Sequence, residues 1–190
     1  MRIIAGTAGG RRLRTPRGDA TRPTADRVRE ALFNILLARG PAPERVLDLY
    51  AGTGALGLEA LSRGAHQAVF VDEAEDAIAL ISENALALGF SAACQPVRER
   101  VHTFLKRPPA APFGWIFLDP PYATRPSEKE MDRALALLGA GRWLAPDGVV
   151  VAEHEWRTAP AERHGALALS DRRRYGQTAV SIFTCTSEEP

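Results

Sequence analysis

Cysteine is nearly absent from this chain. Cys94 and Cys185 are the only two in 190 residues, and they lie far apart. That excludes a disulfide-stapled scaffold and a paired-cysteine metal site, and a reducing, cytoplasmic setting is expected. Four histidines, His66, His102, His154 and His164, show no metal-ligand spacing, so no metal is expected. No apolar run approaches the ~20 residues of a membrane helix. The opening Met1-Arg2-Ile3-Ile4 turns polar too soon for a signal peptide, and no membrane partner is expected. Internal repeats and long low-complexity tracts are missing too. Lysine is as scarce as cysteine: only Lys106 and Lys129 accompany the arginines.

What remains is enough for one sizeable core, with 45% hydrophobic residues. The net charge is only +1, but it is unevenly spread. Residues 1–29 carry eight arginines against Asp19 and Asp26, a net +6 on a mildly acidic body. A basic arm suggests contact with a polyanion, and the planar guanidinium suits phosphates and stacked bases. A solvated surface in an arginine-biased composition explains the same charge about equally well. Arg11, Arg12, Arg14 and Arg22 are the candidates for holding nucleic acid.

Apolar periodicity alternates between strand and helix along the chain. Strands are expected near 45–50, 67–72, 92–97, 115–119, 148–153, 166–172 and 178–185. Helices are expected near 25–38, 54–64, 74–88, 99–106 and 127–139. Residues 2–5 and 11–14 can pair as a hairpin around Gly6 to Gly10. Such alternation implies an α/β fold, a parallel sheet covered on both faces. The last two strands lack a helix between them and should form an antiparallel hairpin. Pro96 donates no ladder hydrogen bond, which places the third strand at an edge.

Two motifs carry chemistry. Asp119-Pro120-Pro121-Tyr122 follows the apolar strand Trp115 to Leu118. A carboxylate, two stiff prolines and an aromatic ring at a strand end suit a flat base with an exocyclic amine. Asp119 and the Pro120 carbonyl can accept both amine N–H groups, and Tyr122 can stack on the ring. Packing of Tyr122 against the sheet end is the duller alternative.

The second motif is Gly52-x-Gly54-x-x-Gly57, between the strand Val46 to Tyr50 and an apolar helix. Glycine there permits a tight turn and close backbone approach to a ligand. Asp72 closes the following strand, near the offset of a carboxylate that grips ribose hydroxyls. It could instead cap the next helix. Alone, this loop suits a nicotinamide enzyme equally well. Asp48, four residues before Gly52, favours a cationic cofactor such as S-adenosyl-L-methionine, whose methyl group a clamped amine could take.

With these residues stand Arg2-Ile3-Ile4-Ala5-Gly6, Arg22-Pro23-Thr24 through Asn34, and Tyr175-Gly176-Gln177-Thr178. Together they resemble the class I methyltransferases that act on exocyclic amines. More closely, they are similar to the small bacterial enzymes that methylate the guanine N2 amine of 16S ribosomal RNA. The resemblance spans nearly the whole chain, and the Arg-Pro-Thr segment is its more specific marker. It implies a seven-stranded Rossmann-like sheet in the order 3-2-1-4-5-7-6 with the last strand antiparallel. Residues 1–40 would form a basic hairpin and helix extension of the same domain, and residues 41–190 the methyltransferase domain.

The resemblance implies catalytic roles for Asp119, Pro120, Pro121 and Tyr122. It implies cofactor contacts at Asp48, Ala51, Gly52, Thr53, Gly54, Asp72 and Glu73, and places Thr24 and Arg27 near cofactor or substrate, although helix initiation and a surface ion pair explain those two nearly as well. The expected partner is 16S ribosomal RNA or a small-subunit assembly intermediate, met by a monomer. One departure stands out. Arg98 occupies the place where many relatives carry an acid near the adenine, so either Glu99 or a backbone amide must serve. Adenine-N6 methylation of RNA or DNA remains the alternative, because the Asp-Pro-Pro-Tyr clamp fits that amine equally well. A non-catalytic RNA-binding module using the basic arm is a further reading. His154 and the run Arg172-Arg173-Arg174 read as surface or sheet-end features rather than as a proton shuttle and a phosphate contact.

Overall fold

The computed structural model describes residues 1–16, 23–120 and 127–186. Its helices and strands, in chain order, are α1 (Pro23–Arg39), β1 (Arg45–Leu49), α2 (Ala55–Ser62), β2 (Gln67–Asp72), α3 (Glu75–Leu88), β3 (Cys94–Arg98) and α4 (Val101–Phe104). They continue as β4 (Phe113–Leu118), α5 (Ser127–Ala140), β5 (Leu144–Glu155), β6 (Arg163–His164), β7 (Leu167–Tyr175) and β8 (Thr178–Cys185). One sheet runs in the order β3-β2-β1-β4-β5-β8-β7-β6. The first five strands of that order are parallel, and β8 runs antiparallel between β5 and β7.

The order matches the expected seven strands, with one addition. The two-residue β6 pairs antiparallel with β7 beyond the expected edge. Its cause is local. Gly165, at φ +59, turns the chain back, and the Ala166 N–H bonds the Gly139 carbonyl at the end of α5. The β3 strand lies at the opposite edge, where Pro96 costs no ladder bond. The fifth strand starts four residues earlier than periodicity suggested, because its register with β4 shifts between Phe113 and Trp115.

Two cores flank the sheet. One joins Val28, Leu32, Phe33 and Leu36 of α1 to Leu58, Ile81, Phe70, Trp115 and Phe117. The other joins Leu47, Val71, Ile116 and Val150 to Met131, Leu135 and Leu138 of α5. Phe33 is fully buried, with ring centroids 5.9 Å from Trp115 and 5.7 Å from Phe117. Truncating such a ring costs about 3–5 kcal/mol, so it fixes α1 firmly over β4.

The amino-terminal segment docks on α2 through a buried acid. Glu59, fully buried, accepts the Ile4 N–H at 2.7 Å, the Ala5 N–H at 3.1 Å and the Arg63 Nε at 2.6 Å. Gly6, at φ +84, lies so close to the Ser62 carbonyl that an added Cβ would sit 1.8 Å from its oxygen. Residues 1–3 and 11–13 pair antiparallel: the Ile3 N–H reaches the Arg11 carbonyl at 2.9 Å, and the Leu13 N–H reaches the Met1 carbonyl at 3.0 Å.

Candidate active site

The glycine loop is shaped by its backbone. Tyr50, just past β1, is the one described non-glycine residue with positive φ, at 59°. Such a conformation costs of order 1–3 kcal/mol and is typical of sites where surrounding contacts impose it. Gly52 and Gly54 follow at φ 53° and 75°, and the Gly54 N–H closes a turn on the Ala51 carbonyl at 2.7 Å. Gly57 serves packing: a Cβ there would lie 2.3 Å from Cε1 of Phe70.

Two carboxylates hold the loop. Asp48 is buried and accepts the Gly57 N–H at 2.9 Å. Burial pushes its carboxyl up to about 7; the Gly57 bond opposes that rise and the Asp72 charge adds to it. Asp72 accepts the Gly52 N–H at 2.9 Å through Oδ2 and the Ala74 N–H at 2.9 Å through Oδ1. It therefore braces both the glycine loop and the entry to α3.

Sheet register brings four acids together. Asp48 stands level with Phe70 of β2 and Phe117 of β4. Side chains alternate along a strand, so Asp72 and Asp119 share its face one pleat further on. Phe117 pairs with Val151 of β5, which sets Glu153 level with Asp119. The four lie in, or one residue past, four adjacent strands and open into one cavity of about 930 Å³, with Ala51, Gly52, Thr53 and Pro120 also in its wall. Burial, then the charges of Glu153 and Asp48, raise the Asp119 carboxyl well above the ordinary carboxylate range. Burial also raises Glu153, and the Arg29 cation opposes the rise.

Arg29 of α1 lines the same cavity and is almost wholly buried. It donates to the Arg2 carbonyl at 2.7 Å and to Asp26 at 3.0 Å, and lies 3.8 Å from Glu59. Its Nε has no hydrogen-bond partner among the described residues. Burial draws its pKa down from the ordinary arginine value, against the pull of Glu59 and Asp26. The amino-terminal arm meets the glycine loop through Asn84 of α3. That buried amide donates to the Arg14 and Thr53 carbonyls at 3.1 Å each and accepts the Arg14 N–H at 2.8 Å. The Thr53 hydroxyl contacts the Met1 sulfur at 3.4 Å.

Tyr50, His102, Glu130 and Arg133 line another part of the cavity. The His102 Nε2 meets the Glu130 carboxylate, to which the Tyr50 hydroxyl donates at 3.4 Å. Arg100 and Lys106 add positive charge to the cavity wall.

The residues expected at a site divide as follows. Asp48, Ala51, Gly52, Thr53, Asp72, Glu73, Asp119 and Pro120 all line the cavity. Gly54 lies behind it, against Leu58, Phe70 and Ile81. Glu99 is not among the lining residues and pairs with Arg107. Arg98 pairs with Glu75 at 2.6 Å on the surface. Pro121, Tyr122 and Arg22 lie outside the described residues, as do the side chains of Pro23, Thr24 and Ala25.

Arg11 donates to the Ala87 and Leu88 carbonyls at the end of α3, a helix-terminus contact that suits a cation. Arg14 pairs with Glu83 at 2.7 Å, while Arg12 is exposed with no side-chain partner among the described residues. His154 is buried on the face of the sheet opposite Glu153, between the Glu155 carbonyl and the Ser181 hydroxyl. Arg172 bonds Ser181 and Pro160, Arg173 pairs with Asp171, and Arg174 stacks 5.1 Å from Trp156. Arg29, Tyr50, His102, Glu130 and Glu153 were not singled out from sequence. Only Glu153 had a legible signal: it continues the phase of Val149 and Val151, as Asp119 continues that of Trp115 and Phe117.

A mostly parallel sheet in this order, with β1 and β4 ends opening into one acid-lined crevice, is the class I methyltransferase fold. The chain belongs to the family described as conserved hypothetical protein 95, which matches residues 1–184. It is 39% identical over 189 residues to YlbH of Bacillus subtilis, covering 96% of this chain and 98% of that one. It is 37% identical over 183 residues to the ribosomal RNA small subunit methyltransferase D of Escherichia coli K12, covering 96% and 89%. The solved structure of yhhF from Escherichia coli superposes with a TM-score of 0.84 at 29% identity, covering 99% of each chain.

Proposed function

We propose that this protein transfers a methyl group from S-adenosyl-L-methionine to the exocyclic N2 amine of a guanine in 16S ribosomal RNA. One observation carries the reading. Asp119 and Pro120, the start of the amine clamp, open into the same cavity as the glycine loop. Identity of 37% over 96% of this chain to a protein named ribosomal RNA small subunit methyltransferase D supports the substrate class.

The cavity chemistry suits the cofactor. Gly52 leaves open space at its Cα, where among the described residues the only atom within 4 Å of an added Cβ is the Tyr50 carbonyl oxygen. Asp48, Asp72 and Asp119 have no salt-bridge partner among the described residues, so a cationic guest can pair with them and favour the ionised form of the buried Asp48 and of Asp119. When bound, S-adenosyl-L-methionine supplies an electrophilic methyl group. In this reading Asp48, Ala51, Gly52, Thr53, Gly54 and Asp72 seat it, with Glu73 beside them. Asp119 and the Pro120 carbonyl accept the two N–H groups of the amine and draw its lone pair out of ring conjugation. Tyr122 stacks on the base, and Pro121 stiffens the turn between them. Asp119 or water then takes the proton that the methylated nitrogen sheds. Positioning and fixed charge supply most of the acceleration. The base must be unpaired to reach this clamp.

Mass-spectrometric mapping of ribosomal RNA from cells with and without the protein tests the reading. The expected result is loss of one N2-methylguanine from 16S RNA. Unchanged RNA, or loss of an N6-methyladenine instead, overturns it.

A further inference from the structure

The clamp alone does not tell guanine from adenine, since both present an exocyclic amine. Discrimination needs a second group beside Asp119 that senses the neighbouring ring atom. In guanine that atom is N1 and carries a hydrogen. In adenine, N1 beside the N6 amine is a bare acceptor.

Glu153 stands where such a group would be needed. The parallel register of β4 and β5 sets it level with Asp119 on the same face, and neighbouring strands lie about 4.8 Å apart. Both carboxyls open into the cavity. Among the described residues neither accepts a hydrogen bond, whereas Asp48, Glu59 and Asp72 are each satisfied by backbone N–H groups. A partly buried acid beside a second acid weakens the fold unless something pairs with it. Glu153 has no cation within ion-pair distance among the described residues. Arg29 provides a buried positive charge on the same cavity, with its Nε unpaired among the described residues. Glu153 is thus a partly buried acceptor with no donor among the described residues, beside the residue proposed to hold the amine.

Resting on the methyl-transfer reading above, we propose that Glu153 determines base specificity. Its carboxylate accepts the guanine N1–H while Asp119 accepts from the adjacent N2 amine. The two acids together match the row of donors along that edge of the base. Against adenine, the ionised Glu153 faces the N1 lone pair, and two acceptors oppose each other. Arg29 positions Glu153 by charge and does not touch the base in this scheme.

The test exchanges the base edge and the side chain together. 16S RNA is built by splinted ligation with guanine, 2,6-diaminopurine or 2-aminopurine at the nucleotide found by mapping. Both analogues keep the N2 amine and lack the N1–H, and they differ from each other at position 6. Transfer is followed with radiolabelled S-adenosyl-L-methionine for the unaltered protein and for Glu153→Gln, whose amide can donate to a bare N1. The unaltered protein is expected to prefer guanine in kcat/KM by about tenfold to a hundredfold over both analogues. Glu153→Gln is expected to bring that ratio to within about threefold, chiefly by gaining on the analogues.

Equal rates on all three bases with the unaltered protein overturn the inference without needing a variant, and N2 methylation still stands. A guanine preference that Glu153→Gln leaves unchanged also overturns it, as that is the outcome for a glutamate acting only as a proton acceptor. Failure to methylate the N2 amine of any of the three bases overturns this inference and the proposed function together.

Discussion

The Asp48 carboxylate accepts the Gly57 N–H at 2.9 Å, joining the end of β1 to the first turn of α2 while itself buried. Because burial lifts its pKa from 3.8 to about 7, the folded state holds a proton that the unfolded state has already released. This group's contribution is therefore most favourable below pH 4 and is lost as pH rises towards 7. Asp48→Asn keeps an oxygen for Gly57 and removes the penalty. The variant should be more stable than the parent at pH 8, by up to about 4 kcal/mol, with the difference vanishing near pH 4. Paired urea melts at the two pH values measure it. The same change should weaken retention on S-adenosylhomocysteine resin, because a cation-binding pocket has lost an acid.

Asp119→Ala should abolish methyl transfer while leaving cofactor affinity within a few-fold. The side chain is assigned to the amine, and the glycine loop is held by Asp48 and Asp72. Titration calorimetry beside a radiolabelled-methyl assay separates the two. Full turnover by the variant would falsify the assignment.

Glu59→Ala strands the Ile4 and Ala5 amides and deprives Arg63 and Arg29 of an anion. Breaking a buried pair from one side costs about 3–5 kcal/mol. The amino-terminal segment should also loosen, so trypsin should cleave after Arg11 or Arg12 well before it attacks the body. Urea melts and a timed digest report both effects.

Gly57→Ala places a methyl group 2.3 Å from the Phe70 ring. The overpacking should cost about 1–3 kcal/mol. Phe70→Leu in the same chain should recover part of the loss, leaving the pair more stable than the sum of the single changes implies. Thermal melts of the four proteins close the cycle.

Arg11 and Arg12 are neighbours with different work. Arg11→Ala should lower stability, because it leaves α3 carbonyls without their donor. Arg12→Ala should leave stability alone and lower the salt slope of RNA binding by about one. Identical salt slopes for the parent and Arg12→Ala would place the RNA on another surface.

Much of this arrangement was legible because it follows from local chemistry. Pro96 announced an edge strand, the three glycines announced a turn between β1 and α2, and Asp119 stood at the end of an apolar run. The remainder depends on groups that only folding brings together. Arg29 and Glu59 lie thirty residues apart, and nothing in either neighbourhood reveals that both are buried. The arginines of the arm looked like one basic surface, yet Arg11 and Arg14 are engaged by α3. The two-residue β6 depends on Gly165 turning against Gly139, a contact between segments with no shared pattern.

The register shift in β5 lies between the partners of Phe113 and Trp115, before the strand reaches the crevice. Length variation there is swallowed upstream, and the pleat recovers its phase by Val149. One residue inserted or deleted between Val150 and Ala152 would instead rotate His154 or Ala152 into the place of Glu153. Indels a few positions apart in one strand should thus have opposite fates under selection for activity.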